Sequence, residues 1–92
     1  MRRPRARTHR IDARQKRIVK VLRSVGAAVL SMAELGGGVA DLLVRYHGRL
    51  FILEVKNPDA MPTDDQLAWL AIWGGVIVHD EQEALNVVGA LT

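Results

Sequence analysis

Three charged residues near the ends of two neighbouring apolar runs have types and spacing that could do chemistry together. The runs span residues 39–46 and 50–56, are rich in branched side chains, and are separated by His47-Gly48. An X-Gly pair between two such runs predicts a β-hairpin. With this pair as the turn, the register of the hairpin places Asp41 directly opposite Glu54.

Directly opposed residues share a face, with Cβ atoms about 4.5–5.5 Å apart, so two carboxylates in these positions repel unless a cation lies close. Alternation along the second run puts Lys56 on the same face as Glu54. Two acids offer the hard oxygen ligands that Mg²⁺ prefers, and a nearby lysine can polarise water or stabilise charge on a phosphorane. An ordinary strand-end ion pair, with Asp41 as a polar residue at a strand start, explains the same residues without function. The cost of burying a carboxylate in an apolar run favours function.

The remaining apolar spacing predicts the elements that hold this cluster. A first helix, ending at Gly26, is indicated by Ile11, Gln15, Ile18, Leu22 and Val25. A strand over 27–32 and a glycine-rich loop over 36–38 lead into the hairpin. A helix over 63–73 with Leu67, Leu70 and Ala71 on one side, a strand over 76–79 and a helix capped by Asp80 complete the order αβββαβα. This order predicts one α/β domain.

At these residues the sequence resembles the PD-(D/E)XK nucleases and, within them, the small stand-alone VRR-NUC proteins of the kind found in phages. The resemblance rests on Gly38-Val39-Ala40-Asp41 followed by Leu53-Glu54-Val55-Lys56. It extends from about Asp12 to Val88, although family members often have proline where this chain has Ala40. It implies an αβββαβ restriction-endonuclease-like core, with a mixed sheet flanked by helices.

The same resemblance implies a metal-dependent active site. In the family the aspartate and glutamate bind Mg²⁺ or Mn²⁺, and these correspond to Asp41 and Glu54. The backbone carbonyl between glutamate and lysine, here that of Val55, is a further ligand. The lysine and a glutamine on the following helix, here Lys56 and Gln66, complete the catalytic set.

Some of these residues have an alternative explanation. Gln66 stands three residues after Thr63, where a capping box would use it only to bond the helix backbone. Asp12 is the candidate for an acid that the family's first helix often supplies, and helix capping explains it equally well. Trp69 and Trp73 are neighbours on one helix, and a core or subunit contact is favoured over stacking on bases.

Positive charge is concentrated at the N-terminus. Residues 1–23 hold ten of the thirteen Lys and Arg and one acid, a net charge of +9, whereas the remainder carries −6. We therefore predict a disordered basic arm over residues 1–10 and a single nuclease-like domain over 11–92. A basic arm on an acidic body indicates contact with nucleic acid, and a solvated tail is the alternative. The predicted DNA contacts are Arg2, Arg3, Arg5, Arg7, Arg10, Arg14, Lys16 and Arg17.

The composition excludes several classes of protein. The absence of cysteine rules out a disulfide framework, a thiolate nucleophile and a cysteine zinc site, and it fits a reducing cytoplasm. No run approaches the roughly 20 apolar residues of a membrane span, and the charged N-terminus is not followed by the apolar stretch of a secretory signal. A domain of 92 residues is marginal alone, which favours a homodimer.

The resemblance to the small stand-alone members implies a Mg²⁺-dependent endodeoxyribonuclease in a phage or bacterial cytoplasm. Its expected substrate is branched DNA such as a Holliday junction, which a symmetric dimer would cut with two sites. Two alternatives remain: a non-catalytic DNA-binding module that retains the fold, and a subunit of a larger assembly in which the carboxylate pair is structural.

Overall fold

The computed structural model describes residues 13–90. The predicted basic arm and Asp12 therefore lie outside the described residues. The order αβββαβα and an α/β fold are confirmed, whereas β2 starts three residues later than the sequence predicts. The elements are α1 (Ala13–Ser24), β1 (Ala28–Ser31), a short 3₁₀ turn (Ala33–Leu35), β2 (Leu42–Tyr46), β3 (Arg49–Val55), α2 (Asp64–Trp73), β4 (Val76–Val78) and α3 (Glu81–Val88).

The four strands form one mixed sheet in the order β1-β2-β3-β4. The first two pairs are antiparallel, and β3 and β4 are parallel. The hairpin register is the predicted one, with Tyr46 paired to Arg49. His47 and Gly48 have φ angles of 50° and 78°, the left-handed values that a two-residue hairpin turn requires.

One face of the sheet is closed by α1 and α3. Alternate residues of β2 and β3 point into this core, where Leu42, Val44 and Leu53 are fully buried. Helix α1 contributes Ile18 and Leu22 to the core, and these are four residues apart on one face of the helix. The prediction that Val25 continues this helical face was wrong, because the helix ends at Ser24 and Val25 is 37% exposed.

The opposite face is only partly covered, by α2. Its contact centres on Leu70, and a Cβ on Gly75 would clash with the Leu70 Cδ2 atom and lie 3.2 Å from Ile52 Cγ2. Of the three apolar residues predicted on one side of this helix, only Leu70 is buried, since Leu67 is 48% exposed and Ala71 is also exposed. The helix approaches the sheet over one turn, so its remaining apolar side chains reach solvent.

Candidate active site

The candidate site lies at the end of the sheet where β2 begins and β3 ends. Extending the hairpin register by one pair beyond Leu42 and Leu53 brings Asp41 opposite Glu54. Asp41 lies directly before β2, and both its backbone carbonyl and its side chain accept hydrogen bonds. Its backbone carbonyl accepts from the Met32 N–H at 2.6 Å, and its Oδ2 atom accepts from the Val55 N–H at 2.9 Å. The carboxylate of Asp41 is thus fixed by a strand backbone.

Glu54 is the buried acid of the site, with 3% of its surface exposed. Burial is the main cause that raises the pKa of Glu54 to about 7, and the negative charge of Asp41 adds to it, while Lys56 acts in the opposite direction. The two carboxyl groups are also joined by a hydrogen bond. Protonation of Glu54 below about pH 7 would therefore relieve the repulsion expected from the sequence.

Two further side chains of the predicted set meet Glu54 at the same oxygen. Lys56 Nζ lies 3.8 Å from Glu54 Oε2, and the Lys56 side chain is 19% exposed. Gln66 Nε2 donates to Glu54 Oε2 at 3.2 Å. The structure therefore brings Asp41, Glu54, Lys56 and Gln66 together, with Val55 between the acid and the lysine.

Gln66 caps its helix and contacts Glu54 at the same time. The Thr63 hydroxyl accepts from the Gln66 N–H at 3.1 Å, and Gln66 Oε1 accepts from the Thr63 N–H at 2.9 Å. Because the cap uses the amide oxygen, the amide nitrogen is the end that faces Glu54. The two readings of Gln66 from sequence are compatible, and Thr63 is a supporting residue that the capping-box spacing could have identified.

Gly38, which belongs to the sequence motif before Asp41, has a packing role that the sequence did not predict. Its φ angle is +84°, and a Cβ at this position would lie 2.8 Å from the carbonyl oxygen of Asp65 in the first turn of α2. The absence of a side chain therefore lets the helix bearing Gln66 approach the loop before Asp41. The three consecutive glycines were the available signal, but they predicted only a loop.

Two of the predicted DNA contacts are engaged within the protein. Arg14 Nη1 donates to the His79 carbonyl at 2.7 Å, and Arg17 Nε lies 3.5 Å from Glu81 Oε2. Lys16 is exposed. The other predicted contacts, Arg2, Arg3, Arg5, Arg7 and Arg10, lie outside the described residues.

The hydrogen bond from Arg14 to the His79 carbonyl also shows which end of the sheet the start of α1 lies beside. Arg14 bonds the residue that follows β4, and Val78 at the end of β4 pairs with Val55. The start of α1 therefore lies at the end of the sheet that carries the candidate site, and the basic N-terminal sequence joins the domain there.

The divalent cation that the sequence implies would need oxygen ligands at the site. Within residues 13–90, no group of three or more His, Cys, Asp or Glu side chains could hold a metal ion. The residues present instead offer two adjacent carboxyl groups and a backbone carbonyl. A buried carboxyl with a pKa raised to about 7 beside a second acid is electrostatically suited to a cation, which would replace the proton on Glu54. These oxygens fit Mg²⁺ or Mn²⁺, which commonly keep several water ligands.

No family model, no curated protein and no solved structure matches this chain. Over the part of the chain that the structure describes, no helix is long and apolar enough to cross a membrane.

Proposed function

We propose that this protein is a metal-dependent endodeoxyribonuclease with a catalytic site formed by Asp41, Glu54, Lys56 and Gln66. The observation that carries the proposal is the convergence of a second carboxyl, an ammonium and an amide on the buried carboxyl of Glu54. Strongly perturbed acids with specific charged partners are concentrated at functional sites. The arrangement lies at an end of the sheet, where Asp41 and Lys56 are partly exposed.

The residues of the site have separable roles in hydrolysis. Asp41, Glu54 and the Val55 carbonyl would hold Mg²⁺ or Mn²⁺, which supplies Lewis-acid activation of water and phosphate when bound. The Val55 N–H orients Asp41, and the Gln66 amide orients Glu54. The Lys56 ammonium, a donor beside these acids, steadies the negative charge that develops on the phosphate oxygens as the phosphodiester is attacked.

DNA, in branched form, is the proposed substrate. The position of α1 supports this, because the strongly basic N-terminal sequence joins the domain at the same sheet end as the carboxylates. Phosphate contacts from such a segment supply affinity without sequence preference. A cytoplasmic location in a phage or bacterial cell stays a prediction.

A homodimer is the proposed assembly, because paired cuts in a branch require two sites. It is supported by apolar side chains left exposed on α2 and on the outer sheet face, which include Leu30, Leu50, Ile72 and Trp73. Light scattering at micromolar concentration should give the dimer mass for the wild type, and Ile72→Lys should shift it toward the monomer. A wild type that stays monomeric at tens of micromolar would contradict this assembly.

The nuclease proposal is tested by cleavage of a four-way junction and of linear duplex in Mg²⁺, in Mn²⁺ and in EDTA. Asp41→Asn and Glu54→Gln should each abolish cleavage while DNA binding is kept or tightened, because each removes a ligand and a charge that repels phosphate. Asp59→Asn is the matched control, since Asp59 is an exposed carboxylate in the loop after β3 and should be dispensable. Wild-type cleavage by either site variant would overturn the assignment.

One observation favours a second candidate, a DNA-binding module without catalysis. The Glu54 carboxyl has a raised pKa and already contacts an ammonium and an amide donor, so the pair can persist without a cation. Calorimetric titration with Mn²⁺ separates the two candidates. Binding that is lost in Asp41→Asn supports the nuclease, whereas DNA binding without Mn²⁺ binding or cleavage supports the module.

A further inference from the structure

The basic residues of α1 lie on two flanks of the helix. Arg14 and Arg17 lie on the flank toward α3 and are held by the His79 carbonyl and Glu81. The other flank borders a groove of about 480 Å³ between α1 and the end of β1, and its lining includes Lys16, Lys20 and Arg23. Arg17 is also exposed, but Glu81 offsets its charge, and Lys20 borders both flanks. The second flank is therefore the one with unopposed positive charge.

The groove is positively charged along its length. Its three bases are each separated by about one helical turn, a rise of about 6 Å and then about 4.5 Å. Arg23 Nη2 donates to the Val29 carbonyl at 3.0 Å, which fixes that guanidinium at the wall, while Lys16 and Lys20 are exposed. No acidic residue contributes to the lining. A row of cations suits a linear polyanion better than an isolated phosphate.

The groove leads to the candidate site. It ends at Ser31, the last residue of β1, which pairs with Leu42 at the start of β2. The next residue, Met32, donates its N–H to the Asp41 carbonyl at 2.6 Å. A chain lying in the groove would therefore reach the sheet end at which β2 begins, on the face opposite to that of Glu54.

We propose that the groove between α1 and β1 binds the sugar–phosphate backbone of DNA, with Lys16 and Lys20 contacting phosphates and Arg23 forming the wall. The identification of the polyanion as DNA rests on the proposed function. The contact surface of α1 is thereby assigned to the Lys16 and Lys20 flank, and not to the flank of Arg14 and Arg17.

The test measures the salt dependence of DNA affinity for the full chain and for Lys16→Ala/Lys20→Ala. Two lost contacts should make the slope of log K against log salt shallower by about 1.8 on duplex DNA. When the salt concentration is lowered from 1 M to 0.1 M, the affinity of the variant should therefore rise about 60-fold less than that of the wild type. Arg45→Ala/Arg49→Ala is the matched control, because it removes two exposed positive charges from the hairpin at the opposite end of β2 and β3.

The outcomes separate this proposal from the proposed function. If the lysine variant keeps the wild-type slope of log K against log salt, the groove proposal is wrong. The proposal is also wrong if the arginine control loses as much slope as the lysine variant, because that would indicate an effect of net charge alone. If the wild type binds DNA without cutting it and the lysine variant loses affinity, the groove stands and the nuclease falls. Binding of vesicles containing phosphatidylserine but not of DNA, with the same loss in the variant, would assign the groove to a membrane surface and overturn it.

Discussion

The two faces of the sheet differ in how completely they are covered. On the face under α1 and α3, side chains such as Ile18, Leu42 and Leu53 are fully buried. On the face under α2, the apolar side chains of Leu30 and Leu50 reach solvent, and the same face carries Glu54 at the end of the sheet. The comparison indicates that one face supplies most of the folding free energy. A costly buried acid can therefore be retained on the other.

Truncation of one leucine on each face to alanine gives the largest expected difference, in the loss of unfolding free energy. Leu22→Ala opens a cavity in the closed core and should cost about 2–5 kcal/mol of unfolding free energy. Leu67→Ala on α2 removes a half-exposed side chain and should cost less than about 1 kcal/mol. Urea denaturation of both variants measures the contrast. Equal losses would show that α2 carries as much of the fold as α1.

The pH dependence of stability sharpens the comparison, because it isolates the buried acid. The folded pKa of Glu54, about 7, is raised above the ordinary 4.5, so the folded state binds the proton more tightly than the unfolded chain. The resulting stabilisation is complete below about pH 4.5 and is lost as the pH rises through about 7, a change of up to about 3 kcal/mol.

Urea denaturation in EDTA at pH 5 and pH 8 measures this change. Glu54→Gln should flatten the profile, because its amide does not titrate, and it should be more stable than the wild type at pH 8. Parallel profiles for the two proteins would show that burial does not perturb Glu54.

Gln66→Glu should have the smallest of these effects, and it tests the contact between α2 and Glu54. The new side chain keeps an acceptor for the Thr63 N–H, so the unfolding free energy should change by less than about 1 kcal/mol through the cap. It replaces the donor to Glu54 with a third carboxylate, so cleavage should fall about tenfold or the metal preference should change. Unaltered kinetics would leave Gln66 with only its capping role.

The residues of the candidate site were more predictable from sequence than the packing of α2 over the sheet. The turn at His47 and Gly48 fixes the hairpin register, and alternation along β3 then places Lys56 with Glu54. These are local rules that read directly from spacing. Thr63 and Gln66 likewise follow the capping-box spacing, although the sequence could not show that one amide serves both the cap and the acid.

The parts that escaped prediction depend on distances between elements. The spacing of Leu67, Leu70 and Ala71 indicates one helical face, but it does not show how much of that face the sheet reaches. The division of basic residues between two flanks of α1 depends on the position of Glu81 in α3, which spacing within α1 cannot give. The raised pKa of Glu54 follows from how deeply Glu54 is buried, a property of the assembled fold.

The connection between the parallel strands has a consequence for the order of folding. Strands β1 to β3 form a meander of neighbours in sequence, whereas Glu54 pairs with Ile77 across the whole α2 crossover. Non-local pairs close more slowly than hairpins, so we expect the meander to form first with Glu54 still hydrated. Docking of α2 and β4 then removes that water. Refolding between pH 4.5 and 7 should therefore take up a proton in its last phase, and a chain stalled at the meander would carry the residues of the site without their shifted acidity.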